Sequence, residues 1–159
     1  MKRGLWFVLS FIIVALDQGS KCLMNRWLLP YEPQPIMPMF NLNLAYNSGA
    51  AFSFLSNAGE WHRWFFVSFS FIMSAVLIIW MLRLPRQALL QLTAISLILG
   101  GAVGNLIDRA WQGYVIDFID FYYGSYHWPV FNIADSAICL GAFLLCIDCY
   151  KNGNNHCST

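Results

Sequence analysis

Two aspartates, Asp117 and Asp135, stand in apolar surroundings that suit acid–base chemistry. The first lies in the stretch GYVIDFIDFYY and the second in FNIADS. When two carboxyl groups share a partly buried site, repulsion and burial separate their ionisations, so that near neutral pH one can be protonated while the other is ionised. Such a pair can deprotonate a water molecule and protonate a leaving amine. A pair of this kind has the groups needed to hydrolyse a peptide bond without a metal or a nucleophilic side chain.

Helix capping is a simpler account of one of these acids. Asn132 can be the N-cap of a helix that begins within FNIADS, and Asp135 then falls at the N3 position, where the positive end of the helix favours a carboxylate. Capping does not explain Asp117, which precedes this helix in an extended segment. Alternation along that segment turns Asp120 to the opposite face, so we expect only Asp117 to act with Asp135.

Other polar residues lie within or at the ends of the apolar segments. Asp17 is about 20 Å along the first predicted helix, a depth at which a carboxylate is a candidate for function. A pair with Lys21, one turn further, is the simpler alternative. Asn105 and Asp108 are three residues apart and share a helix face, and we expect Asp108 and its neighbour Arg109 to form a structural ion pair.

The catalytic groups of other peptidase classes are not evident. The sequence has no HExxH motif to bind zinc, and no serine or cysteine has an evident base, because the three histidines lie in interfacial or tail contexts. Five cysteines lack the paired spacing and histidine partners of a zinc site. We expect free thiols at Cys22, Cys139, Cys146, Cys149 and Cys157. Neither a metal nor a cofactor is predicted.

The composition is that of a membrane protein. Hydrophobic residues make up 58% of the 159-residue chain and charged residues only 11%, against about 25% charged residues in an ordinary globular protein. The formal net charge of +1 argues against nucleic-acid binding, which requires a clustered basic face. The length predicts a single domain over residues 1–159.

Four apolar segments predict membrane-spanning helices, each near the roughly 20 residues that a bilayer requires. They cover residues 4–23, 64–82, 88–107 and 133–150. Positive residues mark the cytoplasmic ends of such helices, and here they are Lys2, Arg3, Arg83, Arg86 and Lys151. Both termini are therefore predicted in the cytoplasm, with the two longer loops outside. In the third segment, Gly100 and Gly104 have the small-xxx-small spacing that lets another helix approach closely.

The two outer loops are predicted to carry short β-structure on the membrane surface. Met39–Phe54 begins with alternating apolar and polar residues, and GYVIDFIDFYY has the same pattern. Trp61 and Trp64 are typical of an aromatic belt at the membrane interface. Gly49 and Gly59 favour the hypothesis that the loops close over the acids as a lid. The residues alone leave three functions open: a membrane aspartyl hydrolase, a small polytopic transporter or channel with intramembrane carboxylates, or an assembly factor.

Five motifs in order resemble a known family. They are DQGSK, NSGAAFS, GNLIDR, VIDFIDF and FNIADS, and they extend from the first predicted helix to the start of the fourth. Together they resemble lipoprotein signal peptidase, the bacterial type II signal peptidase. The chain departs from the common family pattern at Gly19 and Ser20, where DQxTK with a bulkier third residue is usual, and at Ser48, where threonine is usual. These departures leave the acid and amide groups in place.

The resemblance implies an all-α polytopic membrane protein with four transmembrane helices, a small extracytoplasmic β cradle and an interfacial helix. It implies an aspartyl endopeptidase that removes the signal peptide from diacylglyceryl-modified prolipoproteins, cutting just before the lipidated cysteine. The catalytic pair of the family corresponds to Asp117 and Asp135. The positions that would support the site or bind substrate are Asp17, Asn47, Gly49, Asn105, Asp108, Arg109 and Asn132.

The resemblance also implies partners and a location. The expected partners are the lipidated prolipoprotein, membrane phospholipid and, as ligands, cyclic-peptide inhibitors of the globomycin type. The expected location is the bacterial cytoplasmic (inner) membrane, with the active site at its outer face.

Overall fold

Four long helices form the body of the protein. The computed structural model describes residues 4–49 and 61–156, and the helices within them are α1 (Gly4–Trp27), α2 (Trp61–Arg83), α3 (Leu89–Trp111) and α4 (Ile133–His156). Each helix contains an apolar stretch long enough to cross a membrane, with a mean hydropathy between 1.5 and 2.4. The predicted polytopic fold with four transmembrane helices is confirmed.

All four helices extend beyond the predicted apolar segments. α1 continues to Trp27 rather than residue 23, α2 begins at Trp61 rather than residue 64, and α3 ends at Trp111 rather than residue 107. α4 likewise continues past residue 150. A helix satisfies its backbone hydrogen bonds internally, so it can continue through an interface where polar and aromatic side chains lower the hydropathy. Hydropathy therefore locates these helices better than it locates their ends.

Helix α3 is the centre of the bundle. It packs against the other three helices, and 56% of its apolar stretch is buried, against 17% in each of the others. A Cβ atom added to Gly100 would lie 2.8 Å from the backbone oxygen of Ser10 on α1, and one added to Gly104 would lie 2.6 Å from Oδ2 of Asp17. The predicted close approach of a helix at these two glycines is confirmed.

An antiparallel sheet of four strands follows the C-terminal ends of α1 and α3. The strands β1 (Gln34–Met37), β2 (Phe40–Asn47), β3 (Val115–Tyr123) and β4 (Tyr126–His127) pair in that order. In the central pair, Ala45 of β2 lies opposite Asp117 of β3. The sequence pattern predicts these two strands. It does not reveal β1 and β4, because one contains a proline and the other has only two residues.

Several predictions fall on residues 50–60, which lie outside the described residues. They concern the C-terminal part of the predicted β-structure in Met39–Phe54, and Gly59 of the proposed lid. The interfacial helix that the family resemblance implies stays a prediction, because the connection between β2 and α2 falls mainly on residues 50–60.

The main cluster of buried apolar side chains within the helices lies at the end of the bundle opposite to the sheet. It consists of six buried side chains from α1, α2 and α3: Trp6, Leu77, Met81, Leu92, Ile95 and Leu99. Large apolar side chains also cover the outside of the bundle, where Phe11 is 71% exposed and Phe71 is 66% exposed. This pattern is typical of helices that lipid surrounds. Buried polar residues are concentrated near the sheet, so the candidate site lies at that end.

Candidate active site

Asp117 and Asp135 are brought together by β3 and the first turn of α4. Both accept hydrogen bonds from Asn132, the residue that precedes α4. Its side-chain Nδ2 donates to Oδ1 of Asp117 at 2.7 Å, and its backbone N–H donates to Oδ2 of Asp135 at 3.3 Å. Asn132 is fully buried and Asp117 is 2% exposed. A single buried asparagine therefore contacts both carboxyl groups.

The same asparagine caps α4. The backbone N–H of Asp135 donates to Oδ1 of Asn132 at 2.9 Å, while Asp135 accepts from the Asn132 backbone through Oδ2. This reciprocal arrangement is a capping box. The simpler interpretation of FNIADS, in which Asn132 is the N-cap and Asp135 is at N3, is therefore correct. It uses only one carboxylate oxygen of Asp135, and Oδ1 is left for other partners. Capping therefore orients Asp135 and does not exclude a chemical role.

Asn47, at the end of β2, holds the other oxygen of Asp117. Its Nδ2 donates to Oδ2 of Asp117 at 3.0 Å, and its Oδ1 accepts from the backbone N–H of Gly49 at 2.9 Å. Gly49 has a φ of +80°, and a Cβ atom there would lie 2.7 Å from the Phe66 ring. A glycine is required in this turn, because other residues would be strained and would meet the ring. The turn thus fixes which end of the Asn47 amide faces Asp117.

The surroundings of Asp117 favour its protonated form. The pKa of Asp117 is raised from 3.8 to about 6, mainly by burial and also by the nearby charge of Asp135, while hydrogen bonds from Asn47 and Asn132 and the charge of Lys21 partly oppose the increase. Burial disfavours the charged form of a carboxyl group, and a second carboxylate adds repulsion. The pair can therefore hold one proton in mildly acidic and near-neutral solution.

Asn105 of α3 is the second amide at Asp135. Its Nδ2 donates to Oδ1 of Asp135 at 2.8 Å, and its Oδ1 accepts from Nδ2 of Asn132 at 3.2 Å. Both oxygens of Asp135 thus accept hydrogen bonds from N–H groups. Hydrogen bonds of this kind stabilise an ionised carboxylate.

A buried lysine links α1 to α3. Nζ of Lys21 lies 2.7 Å from Oδ2 of Asp17 and 2.7 Å from Oδ2 of Asp108. The predicted ion pair between Asp108 and Arg109 is therefore wrong: Asp108 pairs with Lys21. Consecutive helix residues point in different directions, so adjacency in the sequence is a poor guide to pairing. Sequence reasoning noticed the Asp17–Lys21 spacing and missed the second carboxylate, because the partner is on another helix.

Asp17 connects this group to the start of α4. Its Oδ1 accepts a hydrogen bond from the backbone N–H of Ala134 at 2.9 Å, which satisfies one of the N–H groups that a helix start leaves unpaired. Gln18 donates from Nε2 to Oδ1 of Asp108 at 2.8 Å and to the carbonyl of Gly104 at 3.1 Å. The motif DQGSK thus supports both helices that carry site residues, and Gln18 is a supporting residue that sequence reasoning missed.

Arg109 lies beside the acids and forms no ion pair at hydrogen-bonding distance among the described residues. Its guanidinium stacks over the Phe66 ring at 5.4 Å, and its Nε is buried without a hydrogen-bond partner. The charge of Arg109 interacts electrostatically with Asp135, Asp117 and Asp108. An arginine in this position supplies fixed positive charge next to the carboxyl pair.

Asp120 belongs to a separate cluster on the other face of β3. It is fully buried and accepts hydrogen bonds from Nδ2 of Asn41 at 3.1 Å, while Nδ1 of His127 lies 2.9 Å from its Oδ1. These contacts tie β2, β3 and β4 together. The alternation in GYVIDFIDFYY predicts this separation from Asp117, although not the partners.

Two apolar cavities lie near the residues of the candidate site. One of about 410 Å³ lies between α2, α3 and α4, with Asn105 and Arg109 among mostly apolar lining residues. A second, of about 360 Å³, is lined by Asp135, Cys139 and the segment from Trp128 to Phe131. Both cavities can accept apolar groups next to polar side chains.

Among the side chains that the structure describes, no group of three or more histidine, cysteine or acidic residues is arranged to hold a metal ion. The cysteines in this part of the chain are free, as predicted: Cys22, Cys139, Cys146 and Cys149. Cys157 lies outside the described residues.

The sequence is similar to known proteins over most of its length. The family described as signal peptidase (SPase) II matches residues 9–151. A lipoprotein signal peptidase of Alteromonas mediterranea is 49% identical over 152 residues, which cover 96% of this chain and 82% of that protein. Another from Acinetobacter baumannii is 49% identical over 146 residues, covering 92% of this chain and 83% of that protein.

Two solved structures share the fold. Both are bacterial membrane enzymes determined by the in meso method, at 1.9 Å and 2.3 Å resolution. The first superposes with a TM-score of 0.82 at 32% identity and covers 91% of this chain and 92% of its own. The second superposes with a TM-score of 0.83 at 31% identity and covers 96% of this chain and 91% of its own.

Proposed function

Because this chain belongs to the signal peptidase II family, whose members remove signal peptides from prolipoproteins, we propose that Asp117 and Asp135 are its catalytic pair. The predicted identity as an aspartic peptidase of lipoprotein precursors is confirmed by this membership, and the transporter or channel alternative is not favoured. The observation that carries the assignment of the pair is the buried Asn132, which contacts both carboxyl groups.

Asp117 starts the reaction protonated and Asp135 starts it ionised. Burial and the nearby charge of Asp135 raise the pKa of Asp117 to about 6, whereas Asp135 is only half-buried. The acid is therefore placed on β3 and the base on α4. When the environments of two carboxyl groups make them ionise at different pH, the group that keeps its proton acts as the acid and the ionised group acts as the base.

The reaction proceeds by direct attack of water. Asp135 takes a proton from the water molecule while the water oxygen bonds to the carbonyl carbon. Asp117 gives its proton to the carbonyl oxygen, and the product of this step is a gem-diol. The protonated Asp135 then donates to the nitrogen of the scissile bond. The C–N bond breaks, the amine leaves, and a gem-diol hydroxyl returns a proton to Asp117. Both carboxyl groups end in their starting states.

The substrate is a prolipoprotein whose cysteine carries a diacylglyceryl group, and the cut falls just before that cysteine. The apolar cavity between α2, α3 and α4 would hold an apolar part of this substrate, with Asn105 and Arg109 near the polar groups. Phospholipid surrounds the exposed apolar faces of the helices. Cyclic peptides of the globomycin type would compete with the substrate for the same cavities, by family resemblance.

The protein crosses the bacterial inner membrane with both termini in the cytoplasm and the acids at the outer face. This orientation is supported by Arg83, the last residue of α2, and by Arg86, in the connection to α3. Both lie at the end of the bundle opposite to the sheet, where the positive-inside rule places the cytoplasm. The outer loops close over the bound substrate as a lid. Gly49 supplies a turn beside the site, and Gly59 lies outside the described residues.

The catalytic assignment is tested by isosteric amides. Asp117→Asn and Asp135→Asn should each lower the rate of cleavage of a lipidated precursor in proteoliposomes by roughly 1,000-fold or more, because each removes a proton-transfer group. Asp120→Asn is the matched control: it is a buried aspartate on the same strand that faces away from the pair, and it should retain most of the activity. Full activity in either Asp117→Asn or Asp135→Asn protein, with insertion unchanged, would refute the assignment.

A further inference from the structure

Lys21 forms no hydrogen bond or ion pair with either catalytic carboxyl group among the described residues, although its charge acts on Asp117. It is nevertheless among the most buried side chains of these residues, with 1% exposure. Besides its two carboxylate partners, its Nζ donates a hydrogen bond to Oδ1 of Asn105 at 3.0 Å. Asn105 in turn donates from Nδ2 to Oδ1 of Asp135. A continuous chain of hydrogen bonds therefore runs from α1 through α3 to the carboxylate on α4.

The ammonium group of Lys21 fixes the donor and acceptor direction of this series of hydrogen bonds. Lysine has three N–H donors and no acceptor, whereas an asparagine amide has a donor end and an acceptor end. Lys21 can therefore contact only the oxygen of Asn105, which forces the NH₂ group toward Asp135. In the flipped orientation, an amide oxygen would face the carboxylate and the amide NH₂ would face the ammonium, so both contacts would be repulsive.

Asn132 alone is a weaker constraint on Asn105. Its NH₂ group has two hydrogens and lies within hydrogen-bonding distance of three acceptors: Oδ1 of Asn105 at 3.2 Å, the carbonyl of Ile116 at 3.3 Å and Oδ1 of Asp117 at 2.7 Å. The contact with Asp117 is the shortest of the three. The contact that determines the orientation of Asn105 is therefore the one made by Lys21.

We propose that Lys21 is a positioning residue for the reaction, and that it acts through Asn105 by presenting an N–H donor to Asp135. Asp17 and Asp108 hold the ammonium in place through the two 2.7 Å contacts. The inference rests on the proposed role of Asp135 as the base. It adds that Lys21, a cation on α1, determines which hydrogen bond Asp135 accepts on α4.

A double-mutant cycle tests the route. Lys21→Met keeps the unbranched stem of the side chain without its terminal ammonium group, which removes the donors, and we expect it to lower kcat by about 10- to 100-fold with little change in KM. Asn105→Ala should cause a similar loss. Because both changes remove one and the same contact with Asp135, the double variant should be no slower than Asn105→Ala alone. If the two losses multiply, Lys21 acts by another route and the proposal is overturned.

A charge-balanced background keeps the test informative if Lys21→Met fails to fold. Asp17→Asn removes one carboxylate as Lys21→Met removes the ammonium, so the net charge of the buried group is preserved. The Asp17→Asn protein then serves as the reference of the cycle. If the protein that carries both Asp17→Asn and Lys21→Met folds and has the same kcat as this reference, the proposal is overturned. Failure here is distinct from failure of the catalytic assignment, which would appear as full activity in the Asp135→Asn protein.

Discussion

Asn132 donates its side-chain N–H to Oδ1 of Asp117 at 2.7 Å, so the residue that caps α4 also orients the acid on β3. Capping and orientation use different atoms, Oδ1 for the cap and Nδ2 for Asp117. The two roles can therefore be separated by substitution.

We predict that Asn132→Ser and Asn132→Ala lose activity alike but differ in stability. Serine retains an oxygen that can accept from the backbone N–H of Asp135, whereas alanine has none, so the free energy of unfolding should be lower by about 1 kcal/mol in the alanine protein. Both substitutions remove the donor to Asp117, and kcat should fall by about 10- to 100-fold in each. Thermal unfolding in detergent and cleavage of a lipidated peptide measure the two effects. A serine protein with normal kcat would show that the amide is not needed.

The pH dependence of cleavage should report Asp117. As pH rises through about 6, Asp117 loses its proton and the pair loses its acid, so kcat/KM should fall toward higher pH, because this ratio reports ionisations of the free enzyme. Asn47 donates to Asp117 and lowers its pKa. Asn47→Ala should therefore move the decline to higher pH. A decline that moves to lower pH, or kcat/KM that increases through this range, would contradict the assignment of Asp117 as the acid.

Two glycines of the polar region should respond oppositely to alanine. A Cβ atom at Gly104 would lie 2.6 Å from Oδ2 of Asp17, whereas one at Gly19 would have no atom within 4 Å. Gly104→Ala should lower the free energy of unfolding by about 1–3 kcal/mol through overpacking and should also lower kcat, because Asp17 would have to move. Gly19→Ala should leave stability unchanged or increase it, since alanine favours a helix over glycine. Equal thermal midpoints for the two variants would contradict this account.

Elements that follow from periodicity were predictable, and contacts between distant elements were not. The apolar segments predict all four helices, and alternation in GYVIDFIDFYY predicts β3 and separates Asp117 from Asp120. Capping rules predict the contacts between Asn132 and Asp135, because the two residues are three apart in one turn. These features depend on local geometry, which the order of residue types is enough to specify.

The contacts of Lys21 show the limit of that reasoning. Its spacing from Asp17 is visible in the sequence, but its second carboxylate is 87 positions away on α3, and the choice of partner depends on how α1 and α3 are rotated against each other. The same packing leaves Arg109 over an aromatic ring on α2 rather than paired with Asp108. Which face of a helix meets which neighbour is decided by the whole bundle, so these pairings could not be read from single segments.

The hydrogen bond from Ala134 to Asp17 joins residues 117 positions apart, so the first and last helices of the bundle meet at the start of α4. During synthesis, this contact between α1 and α4 can form only after α4 has been made. A nascent chain that has released only three helices lacks Asp135 and the capping contact with Asn132 that orients it. Proteolytic competence is therefore acquired late, as a property of the finished assembly.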